Sequence, residues 1–202
     1  MAIDTPDIGQ SAWGPPLNLA LSTLGQTTFN PPDLGYKTWN FPSWHAIAYT
    51  STQPVSGTVV MMKMPQIVQP ETITGVTLYR AVVAVGLTDA YVGLYNSAGT
   101  RVAVSANVSG TWGALGMQQT AFTGAYAASA GDVLFAAMLF VGATPPGIAA
   151  AQIANHQSNM NGQTTAATAL WATGPAAQTT LPASVTMASR TPITTGHWAG
   201  LH

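Results

Sequence analysis

Apolar and polar positions alternate in two different rhythms along this chain. Near its start, Leu17, Ala20, Leu21 and Leu24 recur at i, i+3, i+4 and i+7, the spacing that gathers side chains on one helical face. Pro15 and Pro16 stand before this run and Gly25 just after it. Proline at a helix start and glycine past its end is the favoured arrangement. The pattern predicts a helix of about two to three turns, too short to hold together unaided. It needs a surface to pack on, either its own domain or the same helix from neighbouring chains in a small symmetric bundle. Trp13, Leu17, Ala20, Leu21 and Leu24 are the residues expected to make that contact.

After the loop Asn30-Pro31-Pro32-Asp33-Leu34-Gly35 the rhythm shortens to that of strands, punctuated by proline and glycine. Strands are expected at 58–64, at 73–85 with an interruption at Gly75, and at 91–95, 101–105, 118–122, 133–141, 167–172 and 185–188. The runs 91–95 and 101–105 flank Asn96-Ser97-Ala98-Gly99, a short turn with glycine late in the loop, which reads as a hairpin. Pro145-Pro146-Gly147 closes the longest apolar run, because proline has no ladder donor. Residues 149–154, Ala-Ala-Ala-Gln-Ile-Ala, are expected as a short helix. So many short strands predict a mainly β chain: an antiparallel β-sandwich over 31–202, jelly-roll-like rather than immunoglobulin-like, behind an arm of residues 1–30.

Composition turns this architecture toward assembly. Only 5% of the 202 residues are charged while 47% are hydrophobic. An ordinary soluble domain carries roughly 25% charged residues, and a monomer uses them to stay dispersed. A chain this poor in charge is expected to hide much of its outside against other chains. The five basic residues, Lys37, Lys63, Arg80, Arg101 and Arg190, are scattered and the net charge is -1, which excludes a phosphate-binding patch and hence nucleic acid. The longest apolar run, 133–141, is far short of the roughly 20 residues of a spanning helix. No basic stretch followed by an apolar one opens the sequence, so synthesis in the cytoplasm without a signal peptide is expected. Cysteine is absent, which removes disulfides, zinc–thiolate sites and cysteine nucleophiles together.

Candidate chemistry is sparse. The six carboxylates are Asp4, Asp7, Asp33, Glu71, Asp89 and Asp132, and the last three read as turn residues rather than a glycosidase pair. No Gly-x-Ser-x-Gly elbow occurs, and the glycines at 110–116 match neither phosphate-loop spacing. His45, His156, His197 and His202 show no His-x-His or His-x-x-x-His pairing, although copies of one histidine could meet on a symmetry axis. No catalytic residue, metal or cofactor is expected. Met61, Met62 and Met64 read as gap-filling core or interface. Trp13, Trp39, Trp44, Trp171 and Trp198 read as packing, whereas Trp112 sits among glycines in a loop-like stretch.

Trp13-Gly14-Pro15-Pro16-Leu17-Asn18, the Pro-Pro-Asp-Leu-Gly loop and the run from Val92 to Arg101 resemble minor tail proteins of phages infecting actinobacteria. So do Ala172-Thr173-Gly174-Pro175, Thr180-Leu181-Pro182-Ala183-Ser184 and His197-Trp198-Ala199-Gly200-Leu201, so that the resemblance spans the chain. It implies a virion structural protein, a minor tail or fibre subunit, homo-oligomeric and by analogy with fibres trimeric. It would be attached to other virion proteins through residues 1–30 and exposed on the tail or another outer surface. Capsid decoration or a head fibre is a variant of the same reading. A stand-alone carbohydrate-binding module or depolymerase is the alternative of another class. For a host-surface glycan, Trp112 with the loop residues Asn155, His156, Asn159 and Asn161 is the candidate patch: aromatic faces stack on sugars while amides bond their hydroxyls.

Overall fold

The computed structural model describes residues 31–40, 50–112, 115–152 and 166–202. The chain divides into two compact units, Met1–Gly35 and Tyr36–His202. Of the first, the described part is a 3-10 turn, Pro31–Leu34, closed by the Gly35 amide on the Pro32 carbonyl at 3.0 Å. The helix expected over 17–24 lies outside the described residues.

The second unit is an antiparallel β-sandwich of two sheets, as the strand pattern predicts. One sheet has the order β1 (Thr38–Trp39), β13 (Gly200–Leu201), β4 (Glu71–Val82), β9 (Gly147–Gln152), β12 (Thr195–His197). Within it, β2 (Thr50–Thr52) also pairs with β9, and β7 (Gly116–Ala128) with β4. The other sheet runs β11 (Thr191–Pro192), β10 (Trp171–Thr173), β3 (Val60–Lys63), β8 (Leu134–Thr144), β5 (Val85–Asn96), β6 (Arg101–Val104).

β8 explains the longest apolar run. Seven consecutive residues, 134–140, are buried. Leu134, Ala136, Met138 and Phe140 face the space between the sheets with Val76, Leu78, Val92 and Leu94. Phe135, Ala137 and Leu139 face the other way and are covered by Leu181 and Val185, so a segment without a regular strand forms a third layer. Continuous rather than alternating apolarity is what a strand buried on both faces requires. Arg190 helps fasten this layer. Its guanidinium lies 4.6 Å over the Phe135 ring and donates to the Ala166 and Ala167 carbonyls at 2.9 and 3.0 Å. Tyr95 donates to Pro182 O at 2.7 Å, and Arg101 bonds Leu181 O.

The first sheet is closed by a wedge. β9 pairs with β4 only at Arg80 and Val82, then parts from it. The segment 195–201 fills the fork, β12 pairing with β9 and β13 with β4. Trp198, fully buried between those two strands, donates its amide to Ala149 O at 3.1 Å. Asn40 clips the wedge, its Nδ2 donating to His197 O at 2.6 Å and its Oδ1 accepting from the Ala199 amide at 2.9 Å.

Several expectations are corrected. The described part of 149–154 is strand: three alanines favour a helix by propensity, but β2 on one side and β4 and β12 on the other take their backbone groups into ladders. Residues 185–188 form no strand; Met187–Ser189 is a 3-10 turn, and only Ser184 bridges to Thr100. In 167–172 a 3-10 turn, Ala166–Thr168, comes first and β10 starts only at Trp171. Glu71 and Asp89 lie in β4 and β5, not in turns.

The hairpin at 96–99 is present. Asn96 Oδ1 accepts from the amides of Ala98 and Thr100 at 3.1 and 3.0 Å, the asparagine-turn bonding that stands in for backbone. Gly99 has φ 83°, and a Cβ there would collide with the Val185 carbonyl oxygen. Gly99→Ala should therefore cost about 3 kcal/mol or more, combining left-handed strain with a clash against the third layer. Denaturant titration would register this as a lower midpoint, and an unchanged midpoint would contradict the packing described.

Candidate functional site

Of the expected site residues, only Trp112 falls among the described residues. Trp13, Leu17, Ala20, Leu21 and Leu24 lie outside the described residues, as do Asn155, His156, Asn159 and Asn161. Trp112 is described, and its expected role as an exposed stacking platform is corrected. Its side chain is 4% exposed, with its ring centroid 4.7 Å from that of Phe140. The cause is Asn107. Its Oδ1 accepts from the Ala90 amide at 3.1 Å and its Nδ2 donates to Asp89 Oδ1 at 2.9 Å, pinning the segment back on β5. Val108 follows with an amide bond to Ala90 O, and the turn that comes next carries Trp112 into the core between the sheets. No sugar face can reach that ring. Trp39, Trp171 and Trp198 are buried, as their packing role requires, and so are Met61, Met62 and Met64.

Most of the described charges with a partner are spent on structure. Glu71 meets Lys37 at 3.2 Å, and its carboxyl is held below the usual range by the Gln69 amide and then by Lys37. Asp89 accepts from Thr88 and Asn107, and Asp132 from Tyr126 and the Ser129 amide. Arg190 is 3% exposed, and burial pushes its guanidinium down to about 10. Arg80 is fully buried on β4, in register with Val76 and Leu78 facing the core, and none of its guanidinium nitrogens has a hydrogen-bond partner among the described residues. Desolvation lowers its pKa as well. Among the described residues no group of three or more His, Cys, Asp or Glu could hold a metal. No helix among them is long and apolar enough to cross a membrane.

Where charge is missing outside, large apolar side chains stand exposed. Val82, Val83 and Val85 at the β4–β5 turn are 40%, 46% and 62% exposed, and Leu115 and Met117 at the start of β7 are 59% and 46%. The register places them at one end of the sandwich, since Tyr79 pairs with Met117 and Arg80 with Gly116. Scattered single exposed apolar residues are ordinary, but a group of them marks a contact surface. This apolar end is the candidate assembly site. Sequence reading missed it because valines in a strand pattern look like core.

His197 is the one buried histidine among the described residues. It is 3% exposed on β12, and burial pushes it down to about 4 despite a bond to the Ile148 carbonyl that favours its protonated form. Its Nδ1 has no hydrogen-bond partner among the described residues.

No protein-family model matches the chain, and no curated protein matches it.

The buried imidazole gives stability a defined pH dependence. The unfolded chain takes up a proton at His197 below about pH 6.5, whereas the folded chain does so only near 4. Stability is thus full above 6.5 and falls as pH drops to 4, by on the order of 3 kcal/mol. His202, also lowered by burial, adds to the same slope. In His197→Gln the slope between pH 6.5 and 4 should shrink markedly in chemical-denaturation series. A variant with the wild-type slope would show that His197 is not the group responsible. Arg80→Met should hold or raise stability, by about 1–3 kcal/mol, because it removes an uncompensated buried charge. A lower melting temperature in the variant would show that the guanidinium has a partner.

Proposed function

We propose that this chain is a structural subunit of a tailed-phage particle, a minor tail or fibre protein carried on the outer surface, working as a homo-oligomer and most simply as a trimer. Its role on this reading is structural rather than catalytic. The observation that carries it is the distribution of charge. The chain has only five basic and six acidic residues, and two of the basic ones, Arg80 and Arg190, are buried. The surface left is neutral and polar, with apolar side chains exposed at one end of the sandwich. A surface of that kind favours contact with further copies over dispersal as monomers. The tail and fibre assignment, and the trimer with it, rest on the resemblance of the segments around Trp13, Val92 and His197 to minor tail proteins. Residues 1–30 are the proposed attachment to other virion proteins.

Light scattering on the purified chain tests the oligomer. The wild type should scatter as a multimer at micromolar concentration. The paired change Val83→Glu and Leu115→Glu should shift it toward monomer with an unaltered β-type circular dichroism spectrum. A stable wild-type monomer would sink the oligomer. Deleting residues 1–30 should abolish incorporation into particles, and particles that still carry the truncated chain would remove the attachment role from that segment.

A further inference from the structure

A crevice of about 350 Å³ opens at one edge of the sandwich, where the chain crosses between the sheets twice, from β2 to β3 and from β11 to β12. The volume falls within the roughly 300–1,000 Å³ typical of small-molecule sites. Its walls come from both sheets: Thr52, Thr195 and His197 from one, and Val60, Thr173 and Pro192 from the other. None of the described residues that line it is Asp, Glu, Lys or Arg. The imidazole of His197 is neutral at ordinary pH for the reason given above.

Two polar atoms of this lining are left unpartnered. Thr52 Oγ1 and His197 Nδ1 are both shielded from bulk solvent, and neither has a hydrogen-bond partner among the described residues. Buried polar groups are nearly always satisfied, and each exception asks for an explanation. Their chemistry is complementary. The Ile148 carbonyl takes the ring N–H of His197, so Nδ1 is an acceptor, while a threonine hydroxyl can donate or accept. Thr173 and Thr195 add further hydroxyls, and Val60 and Pro192 supply apolar wall. A partner suited to this lining carries several hydroxyls, no charge, and a C–H face.

We propose that this crevice is a binding site for a neutral saccharide, one pyranose unit in size, with His197 Nδ1 accepting from one ring hydroxyl and Thr52 Oγ1 bonding another. The site does not depend on the assembly reading. A chain that scatters as a monomer and still binds sugar would sink that reading and leave this one standing. The avidity of several copies would strengthen a weak single-site affinity if both hold.

The test is NMR titration of the full-length chain with methyl glucoside and methyl mannoside at millimolar concentration, with glucuronate and glucosamine as charged counterparts. The neutral glycosides should shift the amides of Thr52, Thr173, Thr195 and His197, and the charged sugars should not. Thr52→Val keeps the shape and removes one hydroxyl, and should weaken binding about tenfold. Thr194→Tyr, at an exposed lining position, should block entry while leaving the core untouched, which its amide spectrum would verify. The proposal is overturned if neither glycoside shifts these amides, if shifts appear elsewhere only, or if the charged sugars bind equally well. Wild-type binding by a folded Thr194→Tyr variant would overturn it too, as would a crystal soaked in glycoside that holds water alone in the crevice.

Discussion

A strand buried on both faces cannot be completed by the sheet it belongs to. Residues 134–140 of β8 are shielded above and below as well as by strand neighbours on either side. One face is answered by the opposite sheet. The other demands a cover, and the segment carrying Leu181 and Val185 supplies it. Much of the remaining structure follows from holding that cover in place: the Tyr95 hydroxyl on Pro182, the Arg190 guanidinium over Phe135, and the turn glycine Gly99 with no room for a Cβ beneath the Val185 carbonyl. Buried arginine serves here as a multi-pronged donor to backbone carbonyls, a use that its planar fork of N–H groups suits.

What the sequence made legible is what local chemistry decides. The turn at 96–99 is written in Asn96 and Gly99 and needs no distant partner for its conformation. The run 133–141 could be recognised by its length and by the prolines that close it. Apart from β9, the strands that escaped are two or three residues long, such as β1, β11 and β13, and exist because a remote segment offers a ladder: Thr38 opposite Leu201, Ala172 opposite Pro192. The alanines of β9 show the conflict most directly, since tertiary pairing overrides a helical preference worth only tenths of a kcal/mol per residue.

The candidate surfaces were less legible still, for the same physical reason. Trp112 looked like a loop aromatic because its neighbours are glycines, but the decisive contacts belong to Asn107, five positions earlier, which sends the ring inward. The apolar end is assembled by β4, β5 and β7 from valines, a leucine and a methionine that read singly as core. The edge crevice draws residues from four stretches of chain, and no spacing rule connects Thr52 with His197. The scarcity of charge, by contrast, was plain from composition, and the structure sharpens it by placing Arg80 and Arg190 inside.

The wedge of residues 195–201 has a bearing on how the chain reaches this state. Asn40 and Ala199, which bond each other, are separated by 159 positions, and the fork between β4 and β9 stays open until that late segment arrives. Pairings so distant in sequence make for slow closure. While the chain is still emerging from the ribosome, β4 and β9 present bare ladder edges that only their own C-terminal neighbour can occupy correctly. In a chain with almost no charge to keep nascent copies apart, that interval is the hazard. Edge pairing between unfinished molecules would compete with the wedge, and the yield of native protein would be governed by synthesis rate and concentration as much as by the final stability of the fold.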